Sequence, residues 1–118
     1  MIDLTQGSLV LVDFSYSDQT QSKLRPALVV SNSAYNNISR DVIVVKITSK
    51  IPKFLAAGIT NADLAAGSLD RPSYVQADGI YALEKALICD RIGILKPGKT
   101  QEILQQITQL LTLDPVEP

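Results

Sequence analysis

The sequence predicts a mainly β domain: a small, partly open antiparallel barrel with a C-terminal α-helix packed on it. Three observations support this. Short apolar runs rich in β-branched residues recur along the chain, each bounded by polar or Gly/Pro-containing connections. A helical stripe appears only near the C-terminus, and the irregular connections lack the helices that alternate with strands in a doubly wound parallel sheet. At 118 residues the chain fits one domain, 1–118, able to bury a core without disulfide or metal.

SLVLVDF (8–14) follows Gly7 and reads as the first strand. SYSDQTQSKL has nothing apolar at period 2 or 3.6 and is expected as a surface loop. RPALVVS forms the second strand, with Pro26 near its beginning, where a missing N–H does least harm. NSAYNNIS makes a turn or short helix. DVIVVKIT (41–48) is continuous enough in Val and Ile to be buried on both faces near the middle of a sheet.

From Ser49 to Ser73, Pro52, Gly58, Gly67 and Pro72 punctuate a segment that can hold one short strand and one helical turn around NADLAAG. SYVQA and LICDRIGIL are expected as two strands joined by DGIYALEKA, which includes a turn. Beyond Pro97 and Gly98, Thr100 is an N-cap candidate with Glu102 in the positive first turn. Ile103, Leu104, Ile107, Leu110 and Leu111 then form an amphipathic stripe, ended by Asp114 and Pro115.

Composition restricts the chemistry. The chain has no histidine, which excludes Ser-His-Asp and Cys-His catalysis, His-zinc sites and paired-histidine RNA cleavage. One cysteine, Cys89 in the apolar run LICDRIGIL, excludes an intramolecular disulfide and reads as a buried structural thiol. No metal site and no cofactor are expected. The N-terminus carries no basic leader and no apolar run reaches the length of a membrane span, so a soluble, cytoplasmic protein is expected.

With 11 Lys and Arg against 12 Asp and Glu the net charge is -1, so any attraction for a polyanion must be local. It is concentrated between Gln19 and Ala62, where Lys23, Arg25, Arg40, Lys46, Lys50 and Lys53 face Asp41 alone. If the second and third strands pair antiparallel with Ser31 opposite Val42, Arg25 falls opposite Thr48, and Lys46 and Thr48 share a face. A guanidinium, an ammonium and the hydroxyls of Thr48 and Ser49 then gather at one end of the sheet. That set suits a phosphodiester: Arg offers a fork of donors to two nonbridging oxygens, and Thr a short, stiff donor. Each of these charges has a plainer reading as a solvated strand end.

GSLVLVDF, a polar loop, RPALVVSN, VIVVKITS and SYVQADGIYALEKALICDRIGIL, in that order, closely resemble the MazF/PemK/Kid toxins, the endoribonuclease members of type II toxin-antitoxin pairs, over roughly residues 6 to 112. The resemblance implies an SH3-like barrel, a homodimer, metal-independent cleavage of single-stranded RNA and a cognate antitoxin whose acidic, disordered tail occupies the RNA groove. It places the catalytic arginine on Arg25 and the catalytic threonine on Thr48. Lys23, Lys46, Ser49, Lys50, Tyr81 and Lys85 are the RNA-binding candidates.

The family segment that usually reads Gln-Ile-Arg-Thr, then an acidic residue, Lys and Arg, is here Gly79 to Ala86, which implies changed base selection with Arg25 and Thr48 kept. No residue identifies itself as the general base, with Asp78 and Glu84 the carboxylates open to that role. Two other readings stand beside this one. CcdB-type gyrase poisons share the barrel and act through an aromatic-bearing C-terminal helix end, whereas this chain has no Trp and ends in LTLDPVEP. An inert binding module would keep the scaffold and the antitoxin groove without cleavage.

Overall fold

The computed structural model describes residues 4–13 and 23–116. Among them, β1 (Ser8–Asp13), β2 (Leu24–Val29), β3 (Asp41–Thr48), β4 (Ala56–Ile59), β5 (Leu64–Gly67), β6 (Ser73–Glu84) and β7 (Ile88–Leu95) form one sheet. Its order is β4-β6-β3-β2-β1-β7-β5, and every neighbouring pair is antiparallel. The sheet curls into a half-barrel with helix α2 (Pro97–Leu110) against it, while the short helix α1 (Ser33–Ile38) links β2 to β3. Both edge strands have four residues, which limits the unpaired backbone open to other chains.

Alternation along the strands sorts the core into two clusters. Leu9, Leu28, Val45, Ile47, Val75 and Leu95 pack with Ile103 of α2. Val10, Val12, Ala27, Val29, Val42 and Val44 point the other way and pack with Leu83 and Ile88. Each fully buried Leu or Val contributes about 1.5–3 kcal/mol. β3 supplies residues to both clusters from between β2 and β6, as its unbroken Val/Ile run predicts.

The N-terminal end is tied down by the buried Asn36 on α1. Its amide donates to the carbonyls of Leu4 (3.0 Å) and Ser31 (2.9 Å), and Ser31 Oγ donates to Asn36 Oδ1. These bonds satisfy backbone groups that a buried turn would otherwise leave unpaired.

Several expectations are corrected. The region from Ser49 to Ser73 holds two strands, β4 and β5, around a 3-10 turn at Asn61–Asp63. DGIYALE is not a connection: β6 runs unbroken for 12 residues, and its ladder with β3 jumps from Val45↔Ile80 to Lys46↔Gln76. The irregularity before Ile80 is a bulge, and the expected turn falls at the end of DGIYALEKA, where a 3-10 turn at Lys85–Leu87 joins β6 to β7.

Helix α2 begins at Pro97 rather than after Thr100, because proline is preorganised for the first helical position. Thr100 sits inside the first turn, where its hydroxyl donates to the Lys96 carbonyl. The helix stops at Leu110, before Asp114, and Leu110 and Leu111 are exposed. Cys89 is exposed on β7, on the side of the strand opposite its buried neighbour Ile88. Phe14 and residues 15–22 of the expected polar loop lie outside the described residues.

Candidate nucleic-acid interface

The β2–β3 ladder has the register that brings the site together. Ala27 lies opposite Lys46, Leu28 opposite Val45 and Val29 opposite Val44. Continued two residues, this register sets Arg25 against Thr48, the expected pairing. Because side chains alternate, Arg25, Lys46 and Thr48 share the face that Ala27, Val29, Val42 and Val44 make apolar further along. One face of the sheet therefore changes from hydrocarbon to cation over a few residues.

Arg25 is held in extended backbone by Pro26, which disfavours the helical region for the residue before it. It lines an open cleft of about 1150 Å³ together with Pro26, Lys46, Thr48, Ser49 and Lys50. Among the described residues no carboxylate forms an ion pair with Arg25, Lys46 or Lys50. Among the described residues the cleft lining holds Arg25, Lys46, Lys50 and Arg71 against Asp70, so the cleft is locally basic despite the acidic whole-chain balance.

Two details orient the donors. The Lys50 backbone N–H donates to Thr48 Oγ1 at 3.1 Å. With one lone pair of the hydroxyl so engaged, its proton is directed elsewhere and is available to an acceptor in the cleft. Across the bulge from Lys46, Gly79 has no side chain, and a Cβ there would lie 2.9 Å from Lys46 Cδ and 3.0 Å from its Cβ. The missing methyl gives the aliphatic stem of Lys46 room to lie against the bulge, with its ammonium in water.

Tyr81 on β6 and Gln76 beyond the bulge also line the cleft. Burial pushes the Tyr81 hydroxyl above its ordinary range, so the phenol is neutral and keeps a proton to donate at physiological pH. Its ring packs against the Val-rich cluster, so Tyr81 is at once a packing residue and a wall of the cleft. Tyr74 lies opposite Thr48 on β6 and within contact distance of the position a Gly58 Cβ would take, and Tyr35 is partly exposed on α1.

Of the residues singled out by sequence, Arg25, Lys46, Thr48, Ser49, Lys50 and Tyr81 line this one cleft. Lys23 is exposed just before β2 and outside the lining. Lys85 is drawn to the other end of β3, where its ammonium donates to the Asn36 carbonyl and its N–H to the Arg40 carbonyl. It is an anchor for α1 and not part of the cleft wall. Asp78 and Glu84 also lie outside the lining.

Sequence reasoning missed Ser68, Asp70, Arg71, Ser73 and Gln76, which the β5–β6 connection and the start of β6 add to the cleft. One signal could have found Arg71: it precedes Pro72 at the opening of a strand, as Arg25 precedes Pro26.

The described residues form a curled antiparallel half-barrel with a basic cleft beside β2 and β3, an arrangement whose charge suits a polyanion. The chain belongs to the PemK-like, MazF-like toxins of type II toxin-antitoxin systems, whose family pattern it matches over residues 5–111. It is 26% identical over 101 residues to the endoribonuclease MazF of Staphylococcus saprophyticus, covering 85% of this chain and 84% of that protein.

An endoribonuclease solved in complex with its cognate antitoxin from a mycobacterial species superposes with a TM-score of 0.76 at 24% identity, covering 97% of this chain and 100% of that one. A MazE–MazF structure from Deinococcus radiodurans gives a TM-score of 0.71 at 23% identity, covering 92% and 95%. These two likenesses establish the fold.

Proposed function

We propose that this toxin is an endoribonuclease that cleaves single-stranded RNA by attack of a ribose 2′-hydroxyl on the adjacent phosphate. The observation that carries this reading is the juxtaposition of two donors, the Arg25 guanidinium and the Thr48 hydroxyl, which make no ion pair or donated hydrogen bond among the described residues, at one end of a basic cleft. The name of the Staphylococcus saprophyticus relative supports the same activity.

In the reaction the 2′-oxygen bonds to phosphorus and the bond from phosphorus to the 5′-oxygen breaks. The proton leaving the 2′-hydroxyl is balanced by one gained at the departing 5′-oxygen. The products are a 2′,3′-cyclic phosphate and a 5′-hydroxyl. A guanidinium only donates, so Arg25 does not shuttle protons but stabilises the dianionic phosphorane through its paired N–H groups. Thr48 donates to the same phosphate, and Lys46 and Lys50 hold the flanking backbone. The nucleophile belongs to the substrate, so no bound metal is needed to generate one.

Cleavage should therefore proceed at the same rate in EDTA as in magnesium, with cyclic phosphate and 5′-hydroxyl ends on the products. Activity that vanished with chelation and returned with a divalent ion, or products bearing 5′-phosphate, would refute the mechanism.

The same cations suit the acidic, disordered tail of a cognate antitoxin, which would compete with RNA for the cleft. The mycobacterial endoribonuclease solved with its cognate antitoxin supports an antitoxin partner. A homodimer fits the reading as well: Leu24, Ile51 and Phe54 are exposed apolar side chains at or near the cleft in the chain, available for burial against a second copy. Among the described residues no helix is long and apolar enough to cross a membrane, and a cytoplasmic site of action accords with an RNA substrate.

A further inference from the structure

The cleft has a second wall that the Arg25 and Thr48 pair does not use. It is made by the connection between β5 and β6, where Leu69, Asp70 and Arg71 line the main cleft and, on their other side, a separate hollow of about 290 Å³. The three residues form the ridge between two depressions. Thr60, Asn61, Ala62 and Pro72 complete the smaller one.

This ridge is fixed in place. Thr60 and Asp63 form a capping box around the 3-10 turn, with the Thr60 N–H donating to Asp63 Oδ2 at 2.9 Å and the Ala62 N–H to Thr60 Oγ1 at 3.2 Å. From that turn the Asn61 side chain reaches the ridge: the Leu69 N–H donates to Asn61 Oδ1 at 2.7 Å, and Asn61 Nδ2 donates to the Leu69 carbonyl at 3.4 Å. On the other flank the Ser68 N–H donates to the Ile92 carbonyl at 3.3 Å. Arg71, two residues beyond Leu69, lies in a bend directly before Pro72, which disfavours the helical region for it as Pro26 does for Arg25. Its guanidinium is exposed and makes no ion pair or hydrogen bond among the described residues.

A surface arginine on a mobile loop would have little to say about ligands. One held on a ridge by three side-chain or backbone ties, unpaired, facing the same cleft as a second unpaired Arg-Pro, is arranged like a second anchor. We propose that Arg71 is a substrate-positioning residue that holds an RNA phosphate other than the scissile one, and that the hollow behind it receives the nucleotide attached to that phosphate.

The strand thus passes from the Arg25 and Thr48 end of the cleft over the Leu69–Arg71 ridge. The hollow's apolar side chains, Ala62, Leu69 and Pro72, offer a base surface to lie on, and the Asp70 carboxylate accepts from an exocyclic amine. This inference rests on the RNA-cleaving reading for its substrate, and its test separates the two.

The test compares the parent with Arg71→Gln and Arg71→Lys. Binding of a ten-nucleotide 2′-O-methyl RNA, which cannot be cleaved by the proposed route, is followed by fluorescence anisotropy across a range of KCl concentrations. Cleavage is followed on a ten-nucleotide RNA and on a dinucleotide that contains only the scissile phosphate.

Arg71→Gln should flatten the salt dependence of log K by about 0.7, the value of one lost phosphate contact on a single strand. It should also lower kcat/KM on the long RNA roughly tenfold, as for a lost charge-assisted contact, and leave the dinucleotide unaffected. Arg71→Lys should restore the slope, because lysine keeps the charge.

An Arg71→Gln protein with the parent's salt slope, or one impaired equally on both substrates, would overturn the anchor. A parent that binds the 2′-O-methyl strand but cuts neither RNA would overturn the cleavage reading alone, since the salt slopes still decide Arg71. A parent that binds no RNA at any salt concentration would overturn both.

Discussion

Arg25→Lys should reduce RNA cleavage by about 10²–10³-fold, the effect of removing one preorganised donor from a developing oxyanion. Lysine keeps the charge but replaces a planar fork by a single ammonium, so it cannot span two nonbridging oxygens of the phosphorane. The folded protein should not register the change. Arg25 is exposed, makes no ion pair among the described residues and stands at the open end of β2, beyond the buried stretch Ala27–Val30. The unfolding free energy from thermal and urea melts should therefore match the parent's within about 0.5 kcal/mol, the usual range for a surface substitution. Binding of an uncleavable strand should fall far less than the rate, because the fork acts on charge that develops during the reaction. A variant that cuts at the parent's rate would remove Arg25 from the chemistry.

The largest loss of stability is expected from Gly67→Ala. Gly67 has φ +83, a left-handed conformation that costs an L-residue about 1–2 kcal/mol before any contact is considered. The contacts are worse. An added Cβ would lie 2.1 Å from the Ile92 carbonyl oxygen and 2.4 Å from Gly93 Cα. Both are backbone atoms of β7, and Gly67 is directly opposite Gly93 in the β5–β7 ladder. Neither strand can yield without breaking that ladder, so a destabilisation of about 2–4 kcal/mol is expected by urea unfolding.

The same substitution should weaken RNA binding, since β5 leads directly into the ridge that carries Arg71. Gly98→Ala is the matched control: apart from its chain neighbours and the helix's own backbone, nothing lies within 4 Å of the added methyl, and the position is in the first turn of α2, so stability should be unchanged or slightly higher. A Gly67→Ala protein as stable as the parent would contradict the close packing of β5 on β7.

How much of this was legible in the sequence depends on whether the signal was local. The Val and Ile runs announce β1, β2, β3 and β7, because a strand buried on one or both faces must be apolar in sequence wherever it is found. The β2–β3 register was recoverable too, since only α1 and two short turns separate the strands. Arg25, Lys46 and Thr48 therefore arrived together as expected. What could not be read depends on partners distant in the chain. β4 and β5 are four-residue edges rich in Ala and Gly, and only their pairing with β6 and β7 makes them strands.

The bulge in β6 is likewise set by its ladder with β3, so DGIYALE looked like a connection. Lys85 looked like one more cation of an RNA groove until the fold brought it to the Asn36 carbonyl. Arg71 escaped notice because its neighbour Asp70 cancels its charge in any count along the chain, while the count that matters is taken across the cleft. Cys89 was judged by its apolar neighbours, and alternation along β7 turns it outward.

The central claim is that the substrate supplies the nucleophile while Arg25 and Thr48 stabilise what it forms. The most direct measurement uses an RNA oligonucleotide with one cleavage site and its twin carrying a single 2′-deoxy sugar on the 5′ side of the scissile phosphate. The two strands should bind the toxin with the same affinity within about twofold, since the phosphates that dominate affinity are unchanged. Only the all-ribose strand should be cut, and the modified bond should stay intact through prolonged incubation. Cleavage of the 2′-deoxy bond at the normal rate would show that water or a protein group attacks the phosphate, and would contradict the mechanism.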